Sequence, residues 1–258
     1  MKMLTLCVLL VPLAAIAQTP WDGTWVSRED LAVMDKKPVV VALAKGVWTN
    51  DAYTPPLKVK ADGTDQPVKG QTYFDTVAVR EAGADAVEVT NKKAGKVTGT
   101  SRISVTPDGK TATRKWTDET GSAPASGETV YERVGKGPAG SHAVSGSWRI
   151  VKVQNLSTSA KTVTLKGSAD GLMVSLPTGQ SYDAKFDGKE YPIVGDPGHT
   201  RVTLRKIDDN NVEETDYRLG KKTDEIHLAA APDGKTLAVT DKDVQHEQTT
   251  TYTLEKQP

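Results

Sequence analysis

The residue types that most often do chemistry are scattered in this chain of 258 residues. None of the histidines belongs to a His-x-His or His-Glu-x-x-His pattern, the spacings that predict a zinc site. They are His142, His199, His227 and His246. No Gly-x-Ser-x-Gly sequence provides a serine nucleophile. The sequence therefore predicts no catalytic residues, no metal ligands and no cofactor.

Adjacent carboxylates could serve acid–base chemistry, but their positions favour a solvated surface. Asp208-Asp209 lies in a predicted turn, and Glu213-Glu214 divides between the two faces of a predicted strand. The stretch from Asp208 to Asn211 has a calcium-like composition but lacks the twelve-residue loop and closing glutamate of a calcium site. An enzyme would instead need a buried pair of ionisable groups with shifted pKa values.

Two sets of residues are candidates for ligand binding. Arg80 and Arg205 occupy one aligned position in two strands, where alternation places them opposite Val79 and Leu204 and predicts exposure to solvent. The alternative is that they face a cavity and hold an anionic headgroup. A set of aromatic residues in the first half has no counterpart in the second and could be core, loop cover or the lining of a site. This set contains Trp48, Tyr53, Tyr73 and Trp116.

The candidates belong to a chain that is organised by an internal repeat. The stretch from Asp62 to Thr111 returns, without a gap, as Asp187 to Thr236. The windows 61–116 and 186–241 share 17 of 56 residues at an offset of 125. A repeat of this length predicts two copies of one domain rather than a solenoid.

The sequence Pro-Asp-Gly-Lys-Thr occurs once in each copy and is typical of a hairpin turn. Proline presets the backbone angle, aspartate accepts a backbone hydrogen bond, and glycine adopts the left-handed conformation that leads into the next strand. Gly109 and Gly234 are therefore predicted to have structural roles.

The first residues resemble an export signal. Lys2 provides the positive start, an apolar run follows, and Ala15-Ile16-Ala17 gives the cleavage pattern, so residues 1–17 are predicted to be removed. The run is too short to span a bilayer. The mature chain is therefore predicted to contain no transmembrane segment. Cys7 is the only cysteine and lies within the signal, so no disulfide is predicted either. We expect a periplasmic or extracellular protein.

Copy one is assigned to residues 18–134, a small and polar linker to 135–145, and copy two to 146–258. Within each copy the apolar period of two predicts eight short strands. They lie at 25–28, 38–44, 57–60, 76–80, 87–90, 101–105, 111–116 and 129–134, and at 148–153, 161–166, 172–176, 201–207, 212–217, 225–230, 236–240 and 249–255. The best helical candidate, Ser27 to Lys36, could equally be a loop. The predicted fold is all-β, with two tandem antiparallel up-and-down β-barrels, or alternatively β-sandwiches.

The starts of the two copies carry a resemblance to a known family. Gly23-Thr24-Trp25 and Gly146-Ser147-Trp148 look like the opening of lipocalin-type and fatty-acid-binding-protein-type barrels, and Phe186 to Thr236 resembles a group of uncharacterised exported bacterial lipocalin-like proteins. The resemblance implies that Trp25 and Trp148 are structural residues that plug one end of each barrel. It also implies an interior that holds a small apolar molecule.

The closing strands depart from the fatty-acid-binding pattern. They read Tyr131-Glu132-Arg133 and Tyr252-Thr253-Leu254 rather than the family's Arg-x-Tyr, so a fatty acid is not supported as the ligand.

Charge is balanced, with 33 basic and 33 acidic residues, and no basic patch indicates a nucleic-acid partner. The leading expectation is an exported, non-catalytic protein that binds a small hydrophobic molecule in a barrel cavity. The alternatives are a structural or interaction module with filled barrels, and an enzyme that uses the cavity. A cavity of roughly 300 Å³ or more would favour binding.

Overall fold

The computed structural model describes residues 19–35 and 37–258. The predicted export signal, residues 1–17 with Cys7, lies outside the described residues, as does Lys36 at the end of the helical candidate. No helix in the described ranges is long and apolar enough to cross a membrane.

The first half of the described chain is built from strands joined by short turns. They are β1 (Gly23–Asp35), β2 (Val39–Ala44), β3 (Val47–Asn50), β4 (Leu57–Lys60), β5 (Asp62–Pro67), β6 (Thr76–Glu81), β7 (Ala86–Lys93), β8 (Lys96–Val105), β9 (Thr111–Asp118) and β10 (Ala125–Lys136).

The second half repeats this series and adds one helical turn. Its elements are β11 (Gly146–Gln154), α1 (Thr158–Lys161), β12 (Thr162–Gly167), β13 (Gly171–Ser175), β14 (Ser181–Lys185), β15 (Tyr191–Pro192), β16 (Arg201–Lys206), β17 (Asn211–Arg218), β18 (Lys221–Ala230), β19 (Thr236–Asp243) and β20 (Gln248–Lys256). All sixteen predicted strands overlap observed ones, and the prediction missed β3, β5, β14 and β15.

The strands form two antiparallel sheets, each curved into a nearly closed barrel, which confirms the predicted fold class. Barrel 1 has the strand order β4-β3-β2-β11-β10-β9-β8-β7-β6-β5. Barrel 2 has the order β14-β13-β12-β1-β20-β19-β18-β17-β16-β15. The alternative of β-sandwiches is therefore set aside.

The two copies exchange their first strands. β1 pairs with β12 and β20, so the first strand of copy one lies in barrel 2. β11 pairs with β10 and β2, so the first strand of copy two lies in barrel 1. The sheets thus depart at these two strands from the expectation that each copy closes on its own first strand.

The exchange follows from the connection between β10 and β11. The predicted linker is a short link within barrel 1, and a short link favours antiparallel pairing of the strands it joins. Residue pairs run from Glu128↔Gln154 to Lys136↔Gly146. Ser145 Oγ also accepts a hydrogen bond from Leu43 N at 2.9 Å, which holds the link against β2. The chain passes between the barrels elsewhere, from β1 to β2 and from β11 to β12.

The helical candidate is part of β1. Its partner register shifts between Arg28 and Val33, so β1 carries a bulge or irregularity, and beyond it Val33 to Asp35 continue the pairing with β20. Exposure alternates from Leu31 to Met34, as in a strand, and the pairing with β20 outweighs the single capping signal at Ser27.

Each tryptophan of the Gly-x-Trp motif is buried in the barrel formed mainly by the other copy. Trp25, 0% exposed, packs with apolar residues of copy two, and Trp148, 4% exposed, packs with those of copy one. Their indole Nε1 atoms donate to the carbonyl oxygens of Trp21 and Val144, each at 2.9 Å. Both indoles are therefore buried, but in exchanged barrels.

The Pro-Asp-Gly-Lys-Thr turns have the geometry that their residues require. Gly109 and Gly234 adopt φ values of +70° and +63°. Asp108 and Asp233 accept hydrogen bonds from the backbone N–H groups two residues ahead, each at 3.0 Å. These turns lead into β9 and β19, the equivalent strands of the two barrels.

Candidate functional site

A cavity in barrel 2 is larger than one that lies in barrel 1. Its volume is about 590 Å³, within the range of small-molecule sites, whereas that of barrel 1 is about 270 Å³. Much of the wall of the larger cavity is apolar. This part contains Val163, Leu165, Val174, Ile226, Leu228, Val239 and Leu254.

Both copies build the wall of this cavity. The exchanged strand β1 contributes Ser27, Glu29, Ala32 and Met34. The side chain of Tyr73 also reaches the cavity, from the segment that precedes β6 in copy one. The candidate site therefore depends on the strand exchange and on the contact between the barrels.

Two carboxyl groups on β17 face the apolar wall. Glu214 and Asp216 are two residues apart, so alternation sends both side chains to the inner face that Val212 also occupies. Glu214 is only 8% exposed, and the Tyr182 hydroxyl donates to its Oε2 at 2.5 Å. The buried Oδ1 of Asp216 accepts no hydrogen bond from any of the described residues.

Burial raises the pKa of both carboxyl groups into the neutral range. Desolvation is the main cause, and it raises the pKa of Glu214 to about 7 and that of Asp216 to about 8. The charges of Asp224 and Asp241 raise both pKa values further, while the Tyr182 hydrogen bond lowers that of Glu214. The two carboxyls also lie close enough to interact with each other, so the pair retains a proton near neutral pH.

The acidic cluster extends over three neighbouring strands. Asp224 on β18 lies directly opposite Asp216, and Asp241 on β19 lies opposite Ile226, which itself faces Glu214. Burial also raises the pKa of Asp224. Like charges on neighbouring strands disfavour one another, so this arrangement destabilises the fold unless protons or a bound cation compensate.

The equivalent positions of barrel 1 are not acidic. At the offset of 125, Glu214 and Asp216 correspond to Val89 and Asn91, and Tyr182 corresponds to Leu57. The strand register agrees with this alignment, since Val89 pairs with Ser101 as Glu214 pairs with Ile226. The carboxyl pair and its tyrosine are therefore features of one barrel only.

A second polar group adjoins the pair along β17. Arg218 lines the cavity, and its Nη2 donates to Thr200 Oγ1 at 3.2 Å. Its guanidinium carbon lies 5.1 Å from the centre of the Tyr73 ring, a cation–π contact between the two copies. Asp196 accepts a hydrogen bond from Thr200 N at 2.8 Å. Arg218 is thus held by these neighbours.

The aromatic candidates are divided between the two barrels. Trp48 and Tyr53 line the smaller cavity of barrel 1, whereas Tyr73 lines the larger cavity of barrel 2. Trp116 lines neither cavity. It packs against Gly127, where a Cβ atom would approach its ring to 2.8 Å.

The two arginine candidates lie on the outer faces of the barrels. Arg80 forms an ion pair with Glu88, and Arg205 forms one with Glu213, in each case across a strand pair. Their side chains are 66% and 69% exposed. Neither arginine faces a cavity, because the alternation of side chains along each strand turns both of them toward the solvent.

The carboxyl pair is the feature that the sequence analysis missed. Adjacent acids suggested a solvated surface, but only Glu213 faces outward, while Glu214 is buried. Two signals in the sequence indicate the pair. Glu214 and Asp216 lie on the same strand face as the apolar Val212, and the repeat aligns Glu214 with Val89, an apolar residue.

No protein-family model matches the chain, and comparison with curated proteins and with solved structures finds no match. Within residues 19–35 and 37–258, no group of three or more His, Cys, Asp or Glu side chains is arranged to hold a metal ion. The site must therefore be interpreted from its own geometry.

Proposed function

We propose that this protein is an exported, non-catalytic binding protein of lipocalin-like type that holds a small, largely apolar molecule inside barrel 2. The observation that carries the proposal is the cavity of about 590 Å³, with its apolar wall and a polar side formed by Glu214, Asp216 and Tyr182. Ligand sites commonly combine a mainly apolar lining with a few placed polar groups. The export signal pattern of residues 1–17 supports a periplasmic or extracellular location.

Barrel 1 has a different role in this proposal. Its cavity of about 270 Å³ lies at the lower limit for a small-molecule site, and the indoles of Trp48 and Trp148 take up part of its interior. Copy one, which forms most of barrel 1, supports barrel 2 by contributing β1 to its sheet and Tyr73 to its cavity wall. The structural alternative considered from the sequence thus applies to barrel 1 alone.

The carboxyl pair also favours a second candidate function, acid–base catalysis in the same cavity. Two neighbouring carboxyls whose pKa values burial raises to about 7 and 8 could donate and accept a proton near neutral pH. Native mass spectrometry of protein purified from its own host separates the two candidates. A co-purified molecule whose mass stays constant on incubation supports binding, whereas its conversion to a product supports catalysis.

A fluorescent probe tests binding directly. We expect the neutral apolar probe N-phenyl-1-naphthylamine to bind the wild-type protein with enhanced emission. Val174 lines the cavity and Met173, its neighbour on β13, is 38% exposed. Val174→Trp fills part of the cavity and should weaken binding by about tenfold, equal to about 1.4 kcal/mol, whereas Met173→Trp should leave it unchanged.

Equal effects of the two tryptophan substitutions would argue against the cavity as the binding site. Absence of probe binding to the folded wild-type protein would contradict the proposed function itself.

A further inference from the structure

We infer that the ligand of barrel 2 carries a protonated amine on an apolar body, and that its ammonium group binds between Glu214 and Asp216. The inference rests on the proposed function and names the chemical class of the ligand. The carboxyl pair, the adjoining apolar wall and the absence of the pair from barrel 1 together support it.

The hydrogen-bonding capacity of the pair fits an ammonium group. Glu214 accepts a hydrogen bond from Tyr182 at 2.5 Å, and Asp216 Oδ1, which is buried, accepts none from the described residues. An ammonium group has three donors and no acceptor, so it can satisfy both carboxylates without leaving a buried lone pair of its own. Hydrogen bonds between charged groups are also shorter and stronger than neutral ones.

The charges around the pair favour a cation over an anion. The groups that face it are Tyr182 from β14, Asp224 from β18, Asp241 from β19, Tyr252 from β20 and Arg218 on β17. Arg218 is the one cation of this set, so the carboxyl groups outnumber it. Its guanidinium already donates a hydrogen bond to Thr200 and packs over the Tyr73 ring. A ligand carboxylate would meet like charges at this position, whereas an ammonium would relieve their repulsion.

The remainder of the cavity selects the body of the ligand. Away from the pair, much of the wall is formed by apolar side chains such as Val163, Val174 and Leu228, although Glu29 and Lys161 also line the cavity. A compact and fully polar cation would leave this surface without contact. An amine with an alkyl or aromatic body occupies both parts of the site.

Binding of an ammonium should displace the proton that the pair retains. Because the pair loses this proton between about pH 6 and pH 8.5, a cation competes with it less as the pH rises. An aliphatic amine stays protonated over this range, since its ordinary pKa is about 10. The affinity for the amine should therefore increase with pH.

Displacement of N-phenyl-1-naphthylamine from the full chain by three ligands with one tail tests the inference. Octylammonium, 1-octanol and octanoate each contain an eight-carbon chain and carry a different polar group at its end. We expect octylammonium to displace the probe at a concentration about tenfold lower than octanol, and octanoate to be the weakest. The advantage of octylammonium over octanol should grow between pH 6 and pH 8.5.

Matched variants locate the head group. The double variant Glu214→Gln with Asp216→Asn keeps the shapes of both side chains and should abolish the preference for octylammonium. Glu213→Gln, which removes a neighbouring carboxylate on the outer face, should preserve it. The wild-type comparison of the three ligands needs no variant, so it remains decisive if the double variant does not fold.

The outcomes distinguish the two proposals. Equal displacement by all three ligands, or a preference for octanoate, would overturn the ammonium inference and leave the cavity as a binding site. A preference for octylammonium that survives in the folded double variant would also overturn it. Failure of the probe to bind the wild-type protein would overturn the proposed function, and the ammonium inference with it.

Discussion

Replacing the tryptophan of one copy should destabilise the barrel that is built mainly from the other copy. In Trp148→Ala the change removes an indole that is 4% exposed, packs in barrel 1 and donates from Nε1 to Val144 O at 2.9 Å. It also removes the ring that lies 4.0 Å beneath the Arg133 guanidinium. Truncation of a buried tryptophan to alanine costs about 3–5 kcal/mol.

Hydrogen exchange followed by mass spectrometry can assign this loss to a barrel. A loss of about 3–5 kcal/mol should speed exchange by roughly two to four orders of magnitude in amides that open with the affected barrel. In Trp148→Ala we expect the faster exchange in peptides from 39–136, which belong to barrel 1. In Trp25→Ala we expect it in peptides from 162–256, which belong to barrel 2.

The two variants are controls for each other because the motifs are equivalent. Trp148→Ala could instead accelerate hydrogen exchange in 162–256 and spare 39–136. Each copy would then have closed on its own first strand, and the strand exchange between the copies would be refuted. Equal acceleration in both barrels from either variant would show that the barrels open as one unit, and would contradict the assignment of each indole to one barrel.

Two further predictions concern stability. The pKa of Glu214 is about 7 in the folded protein, above its ordinary value of 4.5, so the folded state binds a proton that the unfolded state has already lost. Glu214→Gln should remove this extra proton uptake. The free energy of unfolding of the wild type, measured in urea, should therefore fall by on the order of 1–3 kcal/mol relative to that of the variant as the pH rises from about 5 to 8. The control variant Glu213→Gln should show no such difference from the wild type. Gly234→Val should lower the free energy of unfolding by about 1–3 kcal/mol, because φ is +63° at this position; a steric clash is not the cause, since no atom lies within 4 Å of where a Cβ would stand. Gly234→Asn should cost less in the same assay, because asparagine tolerates a positive φ. Equal costs of the two variants would contradict the backbone strain as the cause.

The strand positions could be predicted because their signals are local. An apolar period of two and turns with glycine at defined positions mark most strands, as around Gly109 and Gly234. Two of the missed strands, β3 and β15, are short, and β15 contains only Tyr191 and Pro192. Such strands form because a neighbouring strand offers hydrogen bonds, and this information is not contained in their own residues.

The strand exchange could not be predicted from the motifs that it involves. Gly23-Thr24-Trp25 and Gly146-Ser147-Trp148 fit equivalent places in the two barrels, so the residues of the motif do not decide which barrel each enters. The decision depends on which connection is short enough to keep its strands paired. The small and polar residues of the connection from β10 to β11 suggested a linker between domains instead.

The candidate site was partly visible in the sequence. Tyr73 was recognised as an aromatic residue without a counterpart, and it lines the larger cavity. The partner of Glu214 could not be identified, because Tyr182 is 32 residues away and meets it only when β14 and β17 curve toward each other. The volume of a cavity depends on many such distant contacts, which a pattern along the chain does not record.

Strand exchange within one chain has a consequence for how its two halves can differ. Two chains with one copy each could exchange first strands and build the same pair of barrels as a symmetric domain-swapped dimer. In that dimer every substitution would occur in both barrels, so buried carboxylates would destabilise both. Here the fused chain has Glu214 and Asp216 on one side and Val89 and Asn91 on the other. Covalent linkage thus lets barrel 2 specialise, even though one of its strands comes from copy one, while barrel 1 keeps a less acidic interior.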